Sequence, residues 1–212
     1  MGEGVETVKA VAEPPHSKRS AGRLMMQRND KFTIRLAMSS DIPALRELID
    51  KSVRILQRGD YSAEQLDAAL GTAYGVDTQL IADGTYYIVE AFGPAGENVL
   101  AACGGWSMRK TLYGSDHGPY RDNAMLEPTR DAAKIRAFFV HPEWTRRGIA
   151  SLILKTCEDA AYARGFRRFE MGATLTGVPM YAARGYAMGE RIEVPLPNGM
   201  SLTVVRMAKT VE

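Results

Sequence analysis

The residues with the clearest potential for chemistry lie at positions 145–151, where the sequence reads TRRGIAS. A run typical of a buried strand ends just before them, at Val140, and an apolar spacing typical of a helix follows. A helix that begins at a glycine turn presents several free backbone N–H groups to one point, and the helix dipole adds positive potential there. Arg146 and Arg147 bring two cations to the same place. The pattern therefore predicts a site for a phosphate-bearing ligand.

An ordinary helix start with two solvated arginines would give the same seven letters. The surrounding elements favour the binding site. A buried strand precedes the turn and a helix follows it, so the next strand, at 166–173, should lie parallel to the first with a right-handed crossover. A short helix containing Tyr181 comes next. These elements predict a βαβ unit whose turn holds the ligand.

Capping signals and periodicity predict the elements that position this turn. Ser39-Ser40-Asp41 marks the start of a first helix, and the spacing of Ser62 and Gln65 marks a second, short one. The other elements follow from the same rules: strands at 32–38, 85–92, 99–107, 134–140 and 166–173, helices at 148–164 and 178–184, and a final hairpin of 191–194 and 202–207.

Two stretches depart from regular patterns. Gly104 and Gly105 lie inside the strand 99–107, which forms a hairpin with 85–92 through the turn-forming residues 93–96, and glycines there predict a bulge or a close approach of another group. The segment 109–133 is long, polar and without period, which is typical of a functional lid or of disorder. Its aromatic and ionisable residues favour the lid.

The chain divides into a tail and one domain. Residues 1–31 carry scattered apolar residues, a Pro14-Pro15 pair and charges of both signs, so we expect a flexible tail. Residues 32–212 carry all the predicted elements and are long enough for one domain with a real core.

Composition excludes several classes of function. Hydrophobic residues make up 45% and the formal net charge is +2, which indicates a globular protein and gives no reason to expect nucleic acid as a partner. Cys103 and Cys157 both lie in apolar stretches, so we expect buried thiols, no disulfide framework and no metal site. No apolar run suits a membrane span and the N-terminus has no signal region, so we expect a cytoplasmic protein.

Two motifs together resemble a known family. The residues Thr145 to Ala150 resemble the acyl-CoA loop of the Gcn5-related N-acetyltransferase (GNAT) family, and Val140-His-Pro142 before them resembles that family's strand end. The segment from Met180 to Tyr186, MYAARGY, is similar to the family's downstream signature. The resemblance covers 32–209 in element order. It implies the α/β (α+β) class, with a mixed, mostly antiparallel sheet, one parallel βαβ unit and helices on both faces.

The resemblance also implies acetyl-CoA as co-substrate, with no metal. Backbone groups near Val140 would hold the pantetheine arm where the two parallel strands splay, and the turn would hold the diphosphate. Tyr181 matches the family's general acid, which protonates the leaving CoA thiolate after direct attack by an amine. The residues expected to contact the cofactor are Phe138, Phe139, Val140, Arg146, Arg147, Gly148, Ile149, Ala150 and Ser151.

Three positions depart from the family pattern. Thr145 stands where the family has Arg or Gln, and Thr174 stands where many members have an Asn that contacts the CoA arm. Arg136 lies on the strand where some members have a general-base Glu, so no base can be transferred from the family.

The sequence does not identify the acceptor substrate or the general base. Glu90, Asp116 and His117 are candidates for deprotonating an amine, and His117 is favoured because histidine titrates nearest neutral pH. Trp106 and Tyr113 could form the walls of an acceptor pocket.

We expect the acceptor to be a small-molecule amine or a protein amine. The sequence leaves an O-acyltransferase, a user of longer acyl chains and a non-catalytic acyl-CoA-binding module as alternatives. The final hairpin could mediate a homodimer.

Overall fold

The structure, a computed structural model, describes Met1 and residues 28–29, 32–93, 98–118 and 121–212. Most of the predicted tail, residues 2–27 and 30–31, lies outside the described residues, as do 94–97 in the predicted hairpin turn. Arg28–Asn29 form a two-residue strand, so regular structure begins before Phe32, where the sequence predicted it.

Among the residues that the structure describes, eight strands form one sheet. They are β1 (Arg28–Asn29), β2 (Phe32–Leu36), β3 (Tyr86–Phe92), β4 (Asn98–Ser107), β5 (Ala133–Val140), β6 (Arg168–Thr174), β7 (Ala187–Pro195) and β8 (Ser201–Thr210). Their order across the sheet is β1-β2-β3-β4-β5-β6-β8-β7. All neighbours are antiparallel except β5 and β6, which are parallel. The predicted sheet with its parallel pair is confirmed.

Five α-helices accompany the sheet in the described residues. They are α1 (Ile42–Leu56), α2 (Ala63–Ala69), α3 (Thr78–Ala82), α4 (Ile149–Ala163) and α5 (Val178–Ala182). Single 3₁₀ turns at Ser39–Asp41 and Pro142–Trp144 precede α1 and α4. The capping signal of α2 is satisfied as predicted, since the Gln65 N–H donates to Ser62 Oγ at 3.2 Å and the Ser62 N–H to Gln65 Oε1 at 2.9 Å. The short α3 was not predicted.

The helices cover both faces of the sheet. On one face α4 buries Ile149, Ile153 and Cys157 in a core shared with Trp106 and Phe166. On the other face α1, α2 and α3 pack their apolar sides over the sheet, with Leu45, Ile49, Val53, Leu66 and Leu80 buried among them. Burial of such an apolar stripe is the main source of helix stability in a domain of this kind. The strand β7 lies at the sheet edge with mostly exposed side chains, and the homodimer stays a prediction.

The parallel strands diverge soon after they meet. β5 and β6 pair only through Ala133 with Phe169 and Lys134 with Glu170. Beyond these pairs, residues 135–140 of β5 have no partner on the β6 side. A gap therefore opens in the middle of the sheet, bordered by two strand edges.

The glycine pair of β4 faces a bulge in β5. Cys103 pairs with Phe139 and Gly105 with Arg136, so Gly104 alone opposes two residues of β5. One of these, Ala137, has φ 56°, a left-handed conformation that is uncommon and strained for a residue with a β-carbon. A β-carbon on Gly104 would lie 2.8 Å from ring atoms of Phe138. The predicted close approach is confirmed, and it comes from the bulged strand.

The Gly104→Ala variant should therefore lose stability. We expect its free energy of unfolding to fall by about 1–3 kcal/mol, because the added methyl overlaps a packed ring and Ile153 Cγ2 at 2.9 Å. Chemical denaturation of the purified protein measures this. Gly59→Ala is the matched control, since a β-carbon there meets nothing within 4 Å. Equal stability of the two variants would contradict the close packing at the bulge.

The segment between β4 and β5 is anchored by polar contacts where it is described. The Ser115 N–H donates to the Thr72 carbonyl at 2.8 Å, and Thr111 Oγ1 donates to the Asp122 carbonyl at 2.8 Å. Arg109 binds Asp83 through Nε at 2.7 Å. The segment thus forms a fixed wall beside α2 and α3.

Candidate active site

A cavity of about 660 Å³ occupies the gap between β5 and β6. It is lined by the free edge of β5, by residues 171–174 of β6 and by the N-terminal turn of α4 with α5 beside it. On the opposite side of the sheet it reaches α1, the segment after α2 and the wall at 112–114. One cavity therefore passes through the sheet and connects its two faces.

The α4 end of the cavity is built to receive an anion. Gly148 caps the helix with φ 79° and provides no side-chain partner for the first N–H groups, which cannot bond within the helix. The first intrahelical bond described runs from the Leu152 N–H to the Gly148 carbonyl at 3.0 Å. Ala150 and Ser151, both small, line the cavity at this turn. The open helix N-terminus therefore directs positive potential into the cavity.

The arginines near this turn differ in position. Arg146, with φ 60°, lines the cavity. Arg147 does not line the cavity: its guanidinium stacks over the ring of Trp144, 4.5 Å from the centroid, and its contact with the cofactor stays a prediction. Arg184 was missed, although it lies within the MYAARGY motif. Its Nε donates to Ser151 Oγ at 3.0 Å, which brings a further cation to the start of α4.

The two threonines that depart from the family pattern both line the cavity. Thr145 Oγ1 donates to the Pro142 carbonyl at 3.0 Å and so stabilises the turn that precedes α4. Thr174 Oγ1 accepts a hydrogen bond from the Gly177 N–H at 3.2 Å and so stabilises the entry to α5. Each hydroxyl is used within the protein.

The middle of the cavity is formed by the bulged part of β5. Phe138, Phe139 and Val140 line it together with Ala137, and their contact with the cofactor stays a prediction. The Ala137 carbonyl accepts a hydrogen bond from the Tyr86 hydroxyl at 3.2 Å on the side away from the gap. Because the ladder with β6 has ended here, backbone groups of this strand face the cavity without a strand partner.

Tyr181 lies in the cavity wall beside this strand. Its ring packs edge to face against Phe138, with centroids 6.1 Å apart, and against Tyr186 at 6.0 Å. No hydrogen bond to its hydroxyl is formed by the described residues. Burial raises the pKa of Tyr181 well above the ordinary tyrosine value, so the hydroxyl keeps its proton at neutral pH. This is the state in which it can act as a donor.

The two aromatic residues predicted for an acceptor pocket have different positions. Tyr113 lines the cavity and packs against Gly172, where a β-carbon would lie 3.3 Å from its ring. Trp106 does not line it. Its side chain is only 2% exposed and packs edge to face with Phe166 beneath α4. Trp106 therefore lies in the core, and its role in an acceptor pocket stays a prediction from the sequence.

The candidates for a general base also lie elsewhere. His117 and Asp116 line a separate cavity of about 220 Å³ between α1 and the segment after α2. Glu90 pairs with Arg35 at 2.8 Å. The structure therefore does not bring His117, Asp116 or Glu90 to the main cavity, and the catalytic role of His117 stays a prediction from the sequence. No carboxylate or histidine is among the described residues that line the main cavity.

Neither a metal site nor a membrane span emerges from the described parts of the chain. They contain no group of three His, Cys, Asp or Glu side chains arranged to hold a metal ion. None of their helices combines the length and apolar character needed to cross a bilayer.

The site geometry has counterparts in known proteins. Residues 124–210, which contain β5, α4, β6, α5 and the final hairpin, match the family model of the acetyltransferase (GNAT) domain. The resemblance predicted from the sequence is thereby confirmed for this part of the chain, and the match supports the acetyltransferase class. Comparison with curated proteins found no match.

Solved structures share the fold over nearly the whole chain. A GCN5-related N-acetyltransferase structure from Rhodopseudomonas palustris aligns with a TM-score of 0.60 and 21% identity, covering 90% of this chain and 100% of that one. The PaiA N-acetyltransferase of Thermoplasma acidophilum, in complex with coenzyme A, aligns with a TM-score of 0.56 and 13% identity. The alignment covers 84% of this chain and 98% of that one.

A third structure is YncA of Salmonella typhimurium, a putative acetyltransferase with its cofactor acetyl-CoA. It aligns with a TM-score of 0.54 and 16% identity, covering 86% of this chain and 95% of that one. At these identities the likeness establishes the fold, and the predicted GNAT fold is confirmed. The co-substrate predicted from the sequence is the one that YncA binds.

Proposed function

We propose that this protein is an acetyl-CoA-dependent N-acetyltransferase. The observation that carries the proposal is the single cavity that joins an open helix N-terminus to a buried, protonated tyrosine along an unpaired strand edge. A phosphate-bearing end, a hydrogen-bonding arm and a reactive thioester are the three parts of acetyl-CoA. The three regions of the cavity suit these parts in that order.

The diphosphate would bind at the N-terminus of α4. Free N–H groups of 149–151 would donate to its oxygens, and Arg146 and Arg184 would offset its charge. The pantetheine amides would then pair with the free edge of β5 at 138–140, as an added strand pairs with a sheet edge. The thioester would lie near the bulge, between Ala137 and Tyr181.

The acceptor amine would attack the thioester carbonyl directly. A bond forms between nitrogen and the acetyl carbon, the carbon–sulfur bond breaks, and a β5 N–H at the bulge would stabilise the oxyanion between these events. The Tyr181 hydroxyl would give its proton to the departing thiolate and regain one from solvent. The proton lost by the amine would pass to water, because the described lining offers no carboxylate or histidine to take it.

A non-catalytic acyl-CoA-binding module is the second candidate, and the lack of a base among the described lining residues is the observation that favours it. Two measurements separate the candidates. Calorimetric titration with acetyl-CoA tests the donor site, and release of the CoA thiol across a panel of amines tests turnover. We expect binding and amine-dependent release. Binding without release from any amine would support the binding module, and no binding would contradict both candidates.

A further inference from the structure

The end of the main cavity away from α4 contains polar atoms that have no partner. Gln57, Tyr74 and Arg136 line this end, and these residues are 6%, 5% and 5% exposed. Gln57 Oε1, the Tyr74 hydroxyl and Arg136 Nε are all buried without a hydrogen bond among the described residues. Buried polar atoms in folded proteins almost always have a partner. Three such atoms on the wall of one cavity indicate that a ligand supplies the missing partners.

Arg136 brings a guanidinium that its protein partners only partly satisfy. Its Nη2 lies 2.8 Å from Asp77 Oδ2 and donates to the Gly114 carbonyl at 2.6 Å, while Nε stays free. Asp77 is shared, because Arg121 also contacts it at 3.3 Å. Arg121 reaches a second carboxylate, Asp116, only at 4.0 Å. Two guanidinium groups thus converge on one fully buried carboxylate, Asp77, whose Oδ2 also has no hydrogen bond among the described residues.

Burial supports the same conclusion about Arg136. Desolvation lowers the pKa of its guanidinium, which means that burial destabilises the charged form of Arg136. An anion bound in the cavity would offset that disadvantage, and a guanidinium with free N–H groups is well suited to a carboxylate.

Gln57 and Tyr74 add complementary groups. The Tyr61 hydroxyl is near Tyr74, but it donates to the Thr203 carbonyl at 2.7 Å and accepts from the Leu175 N–H at 2.8 Å. The Tyr74 hydroxyl forms no hydrogen bond of ordinary geometry, although it interacts with the Tyr61 hydroxyl, and burial raises its pKa, so it remains a donor. Gln57 Oε1 is an acceptor. The cavity end therefore offers two donors, from Arg136 and Tyr74, and one acceptor, from Gln57.

We infer that the acceptor is a small amino carboxylate with an apolar side chain, an inference that rests on the acetyltransferase function proposed above. Its carboxylate accepts from Arg136 and Tyr74, and its amine donates to Gln57 and faces the thioester. Apolar side chains around these groups leave room for an apolar substituent: Leu56, Ala73, Tyr113, Val194, Leu202 and Val204. The N-terminal amine of a protein lacks this carboxylate, because its α-carboxyl group is part of a peptide bond.

The first test uses the unmodified protein and matched acceptors. Leucine, methionine and phenylalanine are each compared with their carboxamides and with the corresponding decarboxylated amines, by CoA release and by calorimetric binding to the CoA-saturated protein. For at least one side chain we expect the carboxylate to be preferred about tenfold or more over both analogues, as a lost charge-assisted hydrogen bond implies. Equal use of all three forms, binding of none, or preference for a peptide N-terminus would overturn the inference.

The second test changes the site. In Arg136→Gln combined with Asp77→Asn, both buried charges are removed together, so no charge is left unpaired in the interior. We expect the KM of the preferred amino carboxylate to rise about tenfold or more, its advantage over the carboxamide to vanish, and the Kd of CoA to stay unchanged. The single variant Arg136→Lys should keep part of the preference for the amino carboxylate over the carboxamide. Arg121→Gln is the matched control, because this arginine contacts Asp77 from outside the cavity, and it should keep the preference.

The outcomes separate this inference from the proposed function. No binding of CoA, or no release with any acceptor, would count against the acetyltransferase. The calorimetric comparison of carboxylate with carboxamide decides the present inference even without turnover. A double variant that keeps its preference for the carboxylate would show that Arg136 only anchors the wall at Gly114.

Discussion

The Tyr181→Phe variant should turn over acetyl-CoA about 100-fold more slowly than the unmodified protein, because general-acid assistance is typically worth at least that much. The substitution removes one hydroxyl and keeps the ring that packs against Phe138. That hydroxyl is the only part of the side chain that can deliver a proton to the thiolate. The Kd of CoA should therefore change by less than about threefold, since ground-state contacts are preserved. Steady-state release of CoA and calorimetric titration measure the two quantities.

Tyr186→Phe is the matched control for this prediction. Tyr186 packs edge to face against Tyr181 but does not line the cavity, and its hydroxyl donates to Glu158 Oε1 at 2.9 Å. Its loss should lower stability by about 1 kcal/mol, as for a typical buried hydrogen bond, and leave turnover nearly unchanged. Unchanged turnover in Tyr181→Phe, or an equal fall in both variants, would contradict the role of Tyr181 as the acid.

Ala150→Glu should weaken binding of CoA about 100-fold, or about 2.7 kcal/mol, since it puts a negative charge where the diphosphate would bind. Ala150 lies in the first turn of α4 and lines the cavity. A carboxylate is favourable at a helix N-terminus, so the fold itself should be as stable as before or slightly more stable. Calorimetric titration with CoA and thermal unfolding without ligand measure both effects.

The same substitution at the other end of the helix provides the control. Ala163 is the last residue of α4 and is exposed. Glutamate there meets the negative end of the helix dipole and should cost less than about 1 kcal/mol of stability, with the Kd of CoA unaffected. If Ala150→Glu binds CoA as tightly as Ala163→Glu does, the diphosphate does not bind at the start of α4.

The parts of the site that could be predicted from the sequence depend on local rules. The turn before α4 needs a left-handed residue, small residues and a helix start, and all three can be recognised within the seven letters at 145–151. The strand and helix limits follow from periodicity and caps in the same way. The exceptions include β1 and the first residues of β7, which were not predicted, and α3, whose five residues at Thr78–Ala82 are too few to show a helical period.

The misplaced residues depend on long-range geometry. Successive residues of a strand point to opposite faces of the sheet, so the face of Trp106 follows from the register of β4 with β5, which no local pattern reveals. The position of His117 follows from bonds between Ser115 and the Thr72 carbonyl, 43 residues apart in sequence. The unpartnered atoms of Gln57, Tyr74 and Arg136 become visible only when three distant segments are assembled.

The early divergence of β5 and β6 divides the sheet into two half-sheets. At this seam β5 and β6 share only two residue pairs, and the seam runs through the hydrophobic core. Helix α4 and contacts such as the hydrogen bond from the Tyr61 hydroxyl to the Thr203 carbonyl link β1–β5 to β6–β8. If acetyl-CoA binds along the seam as proposed, it acts as an additional strand and joins the halves. Its binding energy then adds to the cohesion of the folded state by mass action. Occupancy by the co-substrate would thus protect the protein against opening along the line on which it performs its chemistry.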